Sequence, residues 1–348
     1  VATYVAPTGT AAAMSSPPRH LLKDLSLSAI AAGFVTVLVG FASSAVIVFQ
    51  AAQSLGATPE EISSWMWALG LGMGLTCIGL SLRYRMPVVT AWSTPGAAML
   101  IGSVAGLPLS DAIGAFLMSA LLIAASGFSG LFERMISRIP VSLASGMLAG
   151  VLLRFGIDAF AAMKTQLGMV LTMFAVYLLA RRLLPRYAVI LTLLVGIAFA
   201  AGLGLLRVDG LSLQLAKPVF TTPTFSLAAI VGIALPLFIV TMASQNVPGV
   251  AVIRASGYAI PISPVVGWTG LVNLLLAPFG AFALNLAAIT AAICMGREAH
   301  EDAARRYVAA IAAGVFYVVV GLFGATVAAL FAAFPKELIL AIAGIALL

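Results

Sequence analysis

The chain has 348 residues, 62% hydrophobic and 8% charged, with a net charge of +7 and a mean hydropathy of +1.15. Soluble domains carry about 25% charged residues, so this composition excludes a water-soluble globule, a disordered chain and a coiled coil. The apolar runs are long and continuous rather than alternating, which excludes a transmembrane barrel and leaves an all-α polytopic membrane protein.

Residues 1–18 are small, polar and Pro-bearing, and the segment 1–24 is expected to be mobile. Apolar runs follow at 29–50, 63–82, 95–106, 109–132, 140–155, 166–183, 188–206, 226–244, 263–277, 286–295, 304–331 and 336–348. Two of them, 95–106 and 286–295, are too short to cross about 30 Å of hydrocarbon at about 1.5 Å per residue. Each follows an extended-looking stretch, Pro87–Ala91 and Gly280–Leu284. They read as half-helices; the competing reading is that Pro and Gly kink two spanning helices.

If the loops alternate sides, Arg19, Lys23, Arg83, Arg85, Arg134, Arg138 and most other basic residues share one side. That side is then cytoplasmic, and the N-terminus with it. The positive balance belongs to these loops, and nucleic acid is not an expected partner. Cys77 and Cys294 lie in apolar runs and read as small buried hydrophobes. Glu298-Ala299-His300-Glu301-Asp302 lacks the paired-His spacing of a zinc site and reads as a solvated loop, so neither metal nor cofactor is expected. No nucleophile–base pair suggests an enzyme.

The two halves match weakly but in order. Ala42-Ser43-Ser44 matches Ala243-Ser244-Gln245, Gly56 matches Gly257, and Trp67 matches Trp268. Ser93 then matches Asn285, and Pro140 matches Pro335. A repeat with an odd number of crossings is inverted, and broken helices at matching places point to a transport site near the bilayer midplane. Residues 154–206 find no counterpart after Leu348, so about twelve segments of a longer repeat pair are expected here.

Ser93-Thr94-Pro95-Gly96 reads as a capped helix start, and Asn285 as the cap before Leu286-Ala287. Facing helix N-termini offer N–H groups to an anion without any Lys or Arg. Ser244-Gln245-Asn246 forms the most polar stretch inside an apolar run. At membrane depth such groups face a cavity or hydrogen-bond between helices. Candidate binding residues are therefore Ser93, Thr94, Gly96, Ser244, Gln245, Asn246, Asn285, Leu286 and Ala287. No carboxylate falls at mid-membrane; the proton is expected to ride on the substrate as its acid, on a carboxylate near a cavity mouth such as Asp24, Asp158 or Asp302, or on a residue of the further segments of the repeat.

Three stretches, Thr90–Ala98, Pro236–Gly249 and Asn285–Cys294, resemble the signatures of BenE-type benzoate:proton symporters, with similarity from about Leu25 to Leu348. The resemblance implies the fold shared with uracil/xanthine permeases and sulfate-permease-type transporters, two inverted sets of seven segments. It implies a core domain over 25–135 and 222–333, and a gate domain over 136–210 and 334–348. It further implies proton-coupled import of an aromatic carboxylate, by alternating access, across a bacterial inner membrane, and leaves room for a homodimer. In nucleobase permeases of this fold two Glu bind the base; the matching positions here are Asn246 and Asn285. A neutral pair suits an anionic substrate. Other anion or nucleobase transport on the same fold, or an anion channel, are the alternatives.

Overall fold

The computed structural model describes residues 24–103, 107–136, 153, 156–184, 188–206, 215–324, 326 and 334–346. Nearly all of the expected segment 140–155 and of residues 1–24 lies outside the described residues.

Helices dominate. In chain order they are α1 (Leu27–Ser54), α2 (Pro59–Tyr84), α3 (Thr94–Ser103), α4 (Leu109–Phe128), α5 (Leu131–Ile136), α6 (Met163–Leu183) and α7 (Ala188–Gly202). Then come α8 (Leu227–Ala255), α9 (Ile262–Leu276), α10 (Ile289–Met295), α11 (Tyr307–Leu322) and α12 (Lys336–Ala346). Six helical spans among the described residues are long and apolar enough to cross a membrane. Local chemistry sets their starts. Ser26 caps α1 by accepting from Ala29 N–H, and Thr58 with Glu61 forms a capping box at α2.

Both short segments are half-length helices preceded by a strand. Thr90–Trp92 forms β1 and Leu284–Leu286 forms β2. They pair antiparallel, Ala91 opposite Asn285, and Ser93 N–H to Ala283 O and Ala287 N–H to Val89 O extend the ribbon. The second half-helix differs from expectation. It begins at Ile289 rather than 286 and has seven residues, because Leu286 and Ala287 are held by the ribbon.

Helix packing follows the inverted repeat. α2 packs on α11, and α4 packs on α9. Laying the first half on the second carries α2 onto α9 and α4 onto α11, so each pair maps onto the other. The approach is close: a Cβ on Gly70 would stand 2.5 Å from Gly321 Cα, and one on Gly127 would stand 2.3 Å from Gly267 N. Helices α6, α7 and α12 pack against one another, and α12 also against α1.

The run expected to end at Ser244 continues to Ala255. Two π turns, Ile230–Ala234 and Met242–Asn246, each end two residues before a proline, Pro236 and Pro248. Proline lacks an N–H and crowds the preceding turn; a wider turn just before it lets the helix proceed. Cys77 and Cys294 are free and buried, as their apolar setting suggests.

Candidate functional site

A cavity of about 80 Å³ lies where α1, α2, α8 and α11 meet the β1–α3 and β2–α10 junctions. Its wall includes Val39, Gly40, Phe41, Ser44, Met73, Ala91, Trp92, Thr94, Gln245, Ala287, Ala288, Ile289, Thr290 and Tyr317. None of these is charged. Both half-helix starts therefore open onto one space.

The wall is ordered from behind. On the α2 side Ser81 Oγ donates to Val88 O at 3.1 Å and accepts from Val88 N–H at 3.0 Å. Thr90 Oγ1 lies 2.6 Å from Thr76 Oγ1. On the α8 side Asn246 Oδ1 accepts from Leu286 N–H at 2.8 Å. Trp92 presents its ring edge-on to Phe41, centroids 4.6 Å apart. Its indole N–H donates to Ser44 Oγ at 2.9 Å, and Ser44 in turn donates to Gly40 O.

The nine expected binding residues divide. Thr94, Gln245 and Ala287 lie on the wall. Ser93 and Gly96 lie behind it: Ser93 is buried, and its Oγ accepts from Gly96 N–H at 3.0 Å. Ser93 thus caps α3, with Pro95 in the first turn, as the sequence suggests. Asn246 is 1% exposed and bonded to the strand backbone. Leu286 and Ala287 amides are taken by Asn246 and Val89, so neither N–H is free for an anion. Asn285 is not a helix cap. It sits buried in β2, its Nδ2 donating to Ala283 O, and its Oδ1 has no partner. Ser244 is exposed and donates to Val240 O.

Ala288 stands at the N-cap of α10, where no side chain caps the helix. Ile289 and Thr290, in its first turn, lie on the cavity wall. The sequence reading missed Phe41, Met73, Thr290 and Tyr317. Broken helices signal a site but not which face of an intact neighbour completes it.

None of Asp24, Asp158 and Asp302 is on the wall. Asp24 is 3% exposed, accepts from Tyr307 Oη at 2.8 Å and lies 3.4 Å from Arg305 Nε. Asp158 is half-buried in the helical residues 156–161 that precede α6. Asp302 is exposed and accepts from Ala304 N–H. The 298–302 loop is tied down by Arg306, which donates to Met295 O, His300 O and Glu301 O.

Six helices long and apolar enough to cross a membrane, two broken elements paired through one antiparallel ribbon and an uncharged cavity at their junction are the frame of a polytopic membrane protein. Residues 23–348 match the family described as BenE, benzoate membrane transport protein, and the chain belongs to that family. It is 48% identical over 334 residues to "Inner membrane protein YdcO" of Escherichia coli (strain K12), covering 96% of this chain and 83% of the relative. It is 41% identical over 335 residues to "Benzoate membrane transport protein" of Acinetobacter baylyi (strain ATCC 33305 / BD413 / ADP1), covering 96% and 85%. This is a multi-pass inner-membrane protein. Among solved structures, the transmembrane domain of the cyanobacterial bicarbonate transporter BicA aligns with a TM-score of 0.47 at 14% identity, covering 92% of this chain and 86% of that one. SLC26A9 aligns with a TM-score of 0.49 at 13% identity, covering 95% and 58%.

Proposed function

We propose that this protein imports benzoate or a close aromatic carboxylate together with protons, by alternating access. The observation that carries the reading is the wall: aromatic edges beside neutral donors, with no fixed carboxylate to repel an anion. The aromatic ring lies against Phe41 and Trp92, and the carboxylate turns toward Thr94, Gln245 and the start of α10. An aromatic surface with a few placed donors is the usual make-up of a small-molecule site.

A cavity of about 80 Å³ is smaller than the ~150 Å³ that holds a benzene ring in an engineered site. Substrate entry therefore requires the wall to give. We assign that movement to α6, α7 and α12 sliding as a gate against the remaining core, with the N-terminus on the cytoplasmic side. Of the three candidate proton carriers we retain Asp24. It is buried and joined through Tyr307 to α11, the helix that carries Tyr317 to the wall.

The test is uptake of labelled benzoate into proteoliposomes with and without an imposed pH gradient. Accumulation that requires the gradient supports symport. Equilibration without accumulation under either condition would support the anion-channel reading instead.

A further inference from the structure

We propose that the Tyr317 hydroxyl is a substrate donor, giving its hydrogen bond to the carboxylate of the bound aromatic acid. The inference rests on the aromatic-acid reading above and adds a residue of α11 to a site otherwise built from the broken helices and α1, α2 and α8.

Tyr317 is 1% exposed, on the cavity wall, and its Oη has no hydrogen-bond partner. Thr290 stands beside it, also on the wall, its side chain close enough to act on Oη but not in hydrogen-bond geometry with it. On the other side is Gly40, where an added Cβ would lie 3.2 Å from Tyr317 Oη. The hydroxyl thus sits between two wall residues, with only a glycine backbone on one flank.

The contrast with Trp92 is informative. Its N–H, on the same wall, is satisfied by Ser44. Buried hydroxyls and indoles normally find partners, and a buried donor left without one is costly. The Tyr317 ring continues the aromatic surface, 6.1 Å from Phe41 between centroids. A ring lying on Phe41 and Trp92 therefore presents its carboxylate within reach of both Tyr317 and the α10 start. A hydrogen bond to a charged oxygen contributes roughly ten- to hundred-fold in affinity.

Tyr317→Phe removes one oxygen and keeps the ring. Benzoate affinity, measured by calorimetry on detergent-purified protein, is expected to fall at least about ten-fold. The thermal midpoint of the ligand-free variant is expected to stay level or rise, because an orphan hydroxyl has gone. A purely structural tyrosine would show the reverse, a lower midpoint with unchanged affinity, and that result overturns the proposal. Gly40→Ala supplies a second reading. Its methyl crowds the hydroxyl, so it should weaken benzoate binding in the wild type and add little in the Tyr317→Phe background. Equal losses in both backgrounds count against the hydroxyl. If the wild type itself fails to bind benzoate, the aromatic-acid reading falls first; if it binds and Tyr317→Phe binds within two-fold, only the role of Tyr317 falls.

Discussion

Asn246 holds Leu286: its side-chain oxygen accepts the Leu286 backbone N–H at 2.8 Å, 40 residues along the chain. The amide ties the π turn of α8 to β2 and so fixes where α10 begins. Gly249, one turn further along α8, lets the strand come close, since an added Cβ there would stand 2.6 Å from Leu286 Cβ.

Asn246→Ala leaves the Leu286 N–H buried and unpaired. The expected cost is about 1–3 kcal/mol of stability, seen as a lower thermal midpoint in detergent without ligand. A variant that keeps the wild-type midpoint and loses only benzoate binding would instead place Asn246 in contact with substrate.

Gly70→Ala pushes a methyl into Gly321, whose Cα would lie 2.5 Å away. Backbone cannot yield as a flexible side chain can, and overpacking of this kind costs about 1–3 kcal/mol. Gly232, with nothing within 4 Å of an added Cβ, is the control. The Gly70 variant is expected to unfold at lower temperature and the Gly232→Ala variant is not. Equal behaviour of the two would contradict the close α2–α11 seam.

Glu298, in the loop after α10, lies 4.0 Å from Arg181 of α6. Burial pushes its carboxyl above the ordinary Glu value, and Arg181 draws it part of the way back. The folded protein therefore holds this proton more tightly than the unfolded chain. The stability it contributes is complete below the usual value of 4.5 and is lost as pH rises through the raised one. Glu298→Gln removes the titration. Relative to the wild type, its thermal midpoint should gain on passing from acid to neutral pH. A difference that stays constant across that range would remove burial of Glu298 as the cause.

Asp24→Asn addresses proton coupling. Uptake driven by a pH gradient should be lost, while exchange of external for internal benzoate should persist. Asp158→Asn and Asp302→Asn should keep both activities. An Asp24→Asn protein that still accumulates benzoate under the gradient excludes this carboxylate as the carrier.

The half-helices are legible in the sequence because a length deficit is a local fact: ten apolar residues between breaks cannot span a bilayer. Ser93 as the α3 cap is legible for the same reason, since Ser-Thr-Pro-Gly carries its own start signal. The end of α8 is not. Ser244-Gln245-Asn246 followed by Pro248 imitates a helix stop, and only the π turn, which makes room for the proline, carries the helix onward. The asparagines were read for their chemistry, but an amide that binds substrate and one that binds a strand share the same sequence signature. Asn246 bonds the strand backbone in this structure, and Asn285 lies within that strand. Tyr317 left no trace at all, because a lone tyrosine in an Ala/Gly/Val helix is ordinary until its hydroxyl is found without a partner.

The uncharged cavity wall adds no charge of its own to the cargo. On the proposed symport of one monoanion with one proton, the charge moved over a full cycle is zero, whatever charge Asp24 carries in each half. The net transport current is then zero, and the inward accumulation ratio of the acid is capped by the proton concentration ratio alone.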